Sequence, residues 1–321
     1  MKMPNLALCS AAFLASGLLA SAEVSYDFAP QWLTPPPGLE TIGNGHGEIR
    51  VDSAGNVYVS VEGQPEGGLQ VYSPEGKFLR HVNNSPQTLH GFVIHQEEGG
   101  EFIYGAVLGQ ARVVKMTLDG DVVLEIPTSA FPTEHAGPKG LKLTNCDVAP
   151  NGDIYVVDGY GMDWIYVFDK TGKYKKAFGG RGEPLKLMNC HKMFIDLRYD
   201  EPRVLLCDRV NLRLVHTDLD GNLIGVYAEG LRRPSSASFH GDLCCVAEIA
   251  GSVTVLDKAG KVVATLGAND VAGESNTPKV EPSGWREGIV TSPHGITFDN
   301  DGNILETEWN KFGRVLRWNR K

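Results

Sequence analysis

Three histidines share one position in a repeated phrase. His90, His191 and His294 each stand directly before an apolar run, in LHGFVI, CHKMFI and PHGITF, at nearly equal spacing along the chain. A lone histidine on a strand is most often a hydrogen-bonded structural residue, but three in one slot describe a ligand set. Three neutral imidazole nitrogens with a fourth position open suit catalytic zinc. Copper and iron, which imidazole also binds, are the next choice among transition metals. Two further residues fall near the same place. Tyr160 follows Asp158-Gly159, and Arg209 follows Asp208 at the equivalent point one repeat later. A phenol beside a guanidinium and a metal ion is expected to have its pKa lowered, because both cations favour the phenolate, and so to serve as a general base. The other histidines, His46, His81, His95, His135, His216 and His240, are read as surface or turn residues.

The elements that must position these groups come from the repeat. Its opening strand pair reads GEIRVDSAGNVYVS, GFVIHQEEGGEFIYGA, CDVAPNGDIYVVD, HKMFIDLRYDEPRVLLCD, SASFHGDLCCVAE and HGITFDNDGNILETE in turn. Alternating apolar residues make half-buried strands, and the Asp-Gly, Asn-Gly and Glu-Gly pairs make the turns between them. Such four-stranded units bury their faces by stacking radially. Six copies over residues 45–318 predict an all-β, six-bladed β-propeller. The last copy ends at Trp318 without a fourth strand, and the segment 23–44 is the candidate to close the ring, its TPPPG confining it to an edge. Aligned on the inner strands, the slot before the apolar run holds Gly47, His90, residues 144–146, His191, Ser235 and His294. Histidine thus falls on alternate blades, about 120° apart around the axis in a six-fold ring.

Composition limits the rest. The chain has 321 residues and a formal charge of −9, or one unit more negative without Lys2, which argues against nucleic acid as a partner. Residues 1–22 have the charged start, short apolar centre and Ala-Ser-Ala exit of a secretory leader, so a secreted or periplasmic protein is expected, with no membrane span after it. Five cysteines remain beyond the leader. Cys190 and Cys207 fall on neighbouring strands, where a bridge and two buried free thiols are both open readings.

The repeats look like NHL repeats, and the whole resembles the peptidyl-α-hydroxyglycine α-amidating lyase family. The resemblance runs from about residue 45 to the C-terminus. It rests on the three histidine contexts, on VVDGYGMDWIYVF around Tyr160 and on CDRVNLRLV around Arg209. It implies a zinc centre at His90, His191 and His294, with Tyr160 as base and Arg209 holding it ionised or orienting a substrate carboxylate. The implied reaction cleaves an α-hydroxyglycine, an N-acyl hemiaminal, to an amide and glyoxylate, so the partner is a peptide or small-molecule substrate. Departures are specific. The family's first-blade arginine is missing from VSVEGQPEGG. Gly295 stands where an aspartate would bind structural calcium, and Gly161 replaces a disulfide cysteine. A leader and six blades use nearly all of the chain, so the hydroxylated substrate is expected from another chain or from spontaneous chemistry. Two other readings stay open: a non-catalytic propeller that binds protein or glycan, and a metal-dependent propeller hydrolase such as a lactonase.

Overall fold

The computed structural model describes residues 24–63 and 67–321. The leader read at residues 1–22 lies outside the described residues. Six antiparallel four-stranded sheets stand around a common axis as the blades of a propeller. Their inner strands are Ile49–Val51, Leu89–Glu97, Asn145–Val148, Cys190–Asp196, Pro234–His240 and Pro293–Phe298, and each touches the next all the way round. In five blades the strands follow one another outward in chain order. The sixth takes its outermost strand, Tyr26–Ala29, from the other end of the chain, paired antiparallel with Val315–Arg320 in the register Phe28↔Trp318. This joins the two termini into one sheet. The strand precedes the Pro-rich stretch, whose prolines lie outside the ladder.

Local chemistry explains the strand ends. In the turn between the third and fourth strands of several blades, an aspartate accepts hydrogen bonds from backbone N–H groups two and four residues on. Asp169 does so from Thr171 and Lys173, and Asp257 from Ala259 and Lys261. Gly172 and Gly260 then turn the chain back with φ of +83° and +81°, values that favour glycine. Apolar side chains between blades form clusters that are contiguous from blade to blade. All five cysteines among the described residues are free and buried. Cys190 and Cys207 lie on adjacent strands, but Cys190 is in register with Asp208. Their thiols enter different clusters on opposite faces of the sheet, and this excludes the bridge. Among the described residues no helix is long and apolar enough to cross a membrane.

The channel below the histidines is closed by charge. Lys192 projects from blade 4, and its ammonium donates to Glu48 Oε2 (3.0 Å), Gly47 O (3.2 Å) and His294 O (3.2 Å), using all three protons. Glu48, opposite it on blade 1, also accepts from Ser236 Oγ at 2.7 Å on blade 5 and from Ile296 N at 3.0 Å on blade 6. Both side chains are fully buried. Burial pushes the Lys192 pKa down to about 8, against the pull of Glu48. Gly295 is needed beside this pair, since a Cβ there would lie 2.7 Å from Glu48 Oε1 and 2.8 Å from Glu48 Cα. Two carbonyls and a carboxylate are donors that a bound cation would use, and here a lysine takes them.

Arg50 Nη1 also donates to Glu48 Oε1 at 3.2 Å, so losing Lys192 removes one of two cations from a buried carboxylate. Lys192→Met is therefore expected to destabilise the protein in denaturant unfolding, by less than the about 3–5 kcal/mol of a buried charge left with no partner. The double variant Glu48→Gln/Lys192→Met should lose much less than the sum of the two single losses. Additive losses would contradict a coupled pair.

Candidate metal centre

Each slot histidine sits where the pairing of its inner strand slips. The register shifts between Leu89 and Gly91, between Cys190 and Met193, and between Pro293 and Gly295. Such bulges turn a side chain out of the alternating pattern, here toward the axis. The three imidazoles meet there, with ring centroids 5.0 Å apart for His90–His191, 4.9 Å for His90–His294 and 4.7 Å for His191–His294. All three are completely buried.

Their orientation follows one rule. His90 Nδ1 donates to Thr144 O at 2.8 Å, His191 Nδ1 to Ser235 O at 2.7 Å, and His294 Nδ1 to Gly47 O at 2.7 Å. In each case the acceptor is the slot residue of the next blade. A carbonyl only accepts, so the proton is on Nδ1 and the Nε2 lone pair faces inward. Burial holds all three imidazole pKa values well below the ordinary 6.5, assisted by the positive charge of Lys192 and, for His90 and His191, of Arg209. They are neutral donors.

Tyr160 reaches into this space from the turn after Ile154–Val157. Asp158 holds the turn by accepting from Lys142 N and from Met162 N. Both neighbouring glycines are sterically required: a Cβ at Gly159 would lie 2.3 Å from Cys190 O, and one at Gly161 would lie 2.1 Å from Asp158 Oδ2. The phenol oxygen is 2.9 Å from His191 Nε2 and 3.2 Å from His90 Nε2. Arg209 is buried, its positive charge acts on the phenol, and it donates to Ser235 Oγ at 3.0 Å; Asp208 pairs instead with Arg213. The expected lowering of the phenol pKa is not what the protein groups alone produce. Burial raises it above the usual 10, although Arg209 pulls it down, so the phenolate requires a second nearby cation.

Sequence reasoning missed a fourth imidazole. His46, read as a surface or turn residue, lies over the cluster with its ring 4.8 Å from His90 and 4.7 Å from His294. Its Nε2 is 3.2 Å from the Tyr160 oxygen, and its Nδ1 is 2.9 Å from Glu62 Oε2. Trp309 flanks it at 5.9 Å. The available signal was its place directly before Gly47, the slot residue of blade 1. His216 also departs from the surface reading, being buried against Asp196 at 3.1 Å.

The ligand nitrogens of His46, His90 and His294 lie within 4.8 Å of one another, close enough for one ion. His294 Nε2 is buried without any hydrogen-bond partner. An all-imidazole set suits zinc, copper or iron and is wrong for calcium, which takes oxygen. The residues present therefore fit a transition metal.

No protein-family model matches the chain, and no curated protein matches its sequence. Solved structures do match in shape. A streptogramin B lyase is 15% identical with a TM-score of 0.57, covering 93% of this chain and 98% of that one. A catalytically inactive His-to-Ala variant of virginiamycin B lyase from Staphylococcus aureus, solved with quinupristin, is 14% identical with a TM-score of 0.54, covering 91% and 88%. A protein of unknown function from Bacteroides thetaiotaomicron is 12% identical with a TM-score of 0.60, covering 93% and 77%. These likenesses establish the fold. The chain is a six-bladed propeller.

The depressed histidine pKa values set a pH dependence. An unfolded chain takes up a proton on each histidine near pH 6.5, whereas the folded metal-free protein does not. Stability should therefore fall as the pH drops below about 6.5, by up to about 1.4 kcal/mol per pH unit for each buried histidine. Thermal melts of the metal-free protein check this, and a midpoint unchanged between about pH 7 and pH 5 would contradict it.

Proposed function

We propose that the protein is a zinc-dependent carbon–nitrogen lyase that cleaves an N-acyl hemiaminal of the α-hydroxyglycine type to an amide and glyoxylate. The observation that carries this reading is the phenol of Tyr160 within hydrogen-bond distance of convergent, neutral imidazole nitrogens and under the positive charge of buried Arg209. A divalent ion held by the imidazoles would supply Lewis acidity toward the substrate hydroxyl. Tyr160, as phenolate, takes the hydroxyl proton. The C–N bond breaks as the C=O bond forms, and Tyr160 returns the proton to the departing amide nitrogen. Arg209 stabilises the phenolate and, as a cation beside the reacting atoms, favours a substrate carboxylate. The lyase neighbours in fold support a lyase of some kind; the resemblance of the histidine, Tyr160 and Arg209 motifs supports this one. A protein acting outside the cytoplasm, as the leader motif suggests, belongs to the same proposal.

One observation favours a second substrate form. The stretch that lacks the family's arginine contains Glu62, which faces the site through His46. An anion there disfavours a second carboxylate contact, so a hemiaminal without the carboxylate is the alternative substrate.

The test is turnover of a synthetic N-acyl-α-hydroxyglycine beside the matching N-hydroxymethyl amide, following glyoxylate and formaldehyde. Tyr160→Phe should lower turnover at least about 100-fold with bound metal unchanged. Full activity in that variant would refute the base assignment. No product from either compound would refute the lyase reading.

A further inference from the structure

The donor count at the centre does not balance with three histidines alone. His90, His191 and His294 have their Nδ1 protons committed to carbonyls, so each presents a lone pair inward. His46 obeys the same rule with a different acceptor, its Nδ1 facing the Glu62 carboxylate at 2.9 Å, and this too turns an Nε2 lone pair toward the cluster. Four lone pairs then share one small space. The phenol oxygen of Tyr160 lies 2.9–3.2 Å from three of them, His191, His90 and His46, yet it has a single proton to give. The fourth nitrogen, on His294, has no partner at all. At least three inward lone pairs are left over, and His46 is one of the three whose nitrogens lie within 4.8 Å of one another.

We infer that His46 is a fourth imidazole ligand of the metal centre, oriented by Glu62, so that the first blade contributes a ligand as well as the second, fourth and sixth. The inference rests on the reading that the cluster holds a divalent metal. It adds a residue from a different strand position, immediately before the slot, and gives Glu62 a defined task. The carboxylate fixes the imidazole tautomer, makes the nitrogen a stronger donor and places one negative charge against the ion. His46 and Glu62 are each only 17% exposed in their side chains, so the pair is largely shielded from solvent.

The experiment loads the metal-free full chain with Co2+ and reads two quantities: the dissociation constant by titration and the number of imidazole neighbours by X-ray absorption at the cobalt edge. For His46→Ala we expect Co2+ binding weakened at least about tenfold and one imidazole fewer than in the wild type. Glu62→Gln should weaken binding while keeping the imidazole number, and it guards against a folding defect in the first variant. A His46→Ala protein with the wild-type imidazole number would overturn the inference, whatever its affinity, and leave the metal centre standing. A wild-type protein that binds no Co2+ would overturn the inference and the metal reading together.

Discussion

The site depends on one constraint repeated three times: an imidazole Nδ1–H donated to the backbone carbonyl of the next blade. Because the acceptor is main chain, it cannot swing away, and because it belongs to the neighbouring blade, each bond requires the two blades to be packed together, the His294–Gly47 bond joining the last blade to the first. The geometry that makes the propeller therefore also fixes the tautomer of each histidine. Neutral imidazoles, buried and held in this way, face one another with lone pairs, an arrangement that costs free energy wherever a lone pair lacks a donor.

The same inner strands carry the charges beneath. Lys192 is the residue after His191, and its ammonium binds the carbonyls of His294 and of Gly47, the very group that receives the His294 proton. Glu48, next to Gly47, holds that ammonium from across the channel. Floor and histidine cluster thus share atoms, and a change at Glu48 or Lys192 reaches His294 through two bonds of the network. A side chain in place of Gly295 would collide with Glu48, so the floor itself requires the glycine.

Much of this was legible in the sequence because it repeats. Strand number, turn chemistry and the six-bladed arrangement followed from one phrase read six times, and the slot histidines stood out because His90, His191 and His294 broke that phrase at the same point. Tyr160 and Arg209 share an offset after the second strand, and the Tyr160 oxygen lies 2.9 Å from His191 Nε2. What escaped were features that have no repeat. His46 lies one residue outside the slot and reaches the centre only because its loop folds over blade 1. Glu48 and Lys192 look like ordinary polar residues of alternating strands until the channel brings opposite blades together. The opposed directions of the Cys190 and Cys207 thiols depend on register, which a one-residue bulge at His191 alters. The Tyr160 pKa shift depends on burial, and linear sequence does not show how deeply a turn residue is buried.

The central claim is that the convergent nitrogens hold one divalent metal ion. Elemental analysis of the purified full chain, metal-depleted and then equilibrated with zinc before removal of unbound ion, tests it directly. The account requires close to one zinc per chain, reduced to a small fraction in His294→Ala, whose nitrogen has no other partner. A wild-type chain that retains no metal, or a His294→Ala chain that retains as much as the wild type, would contradict it.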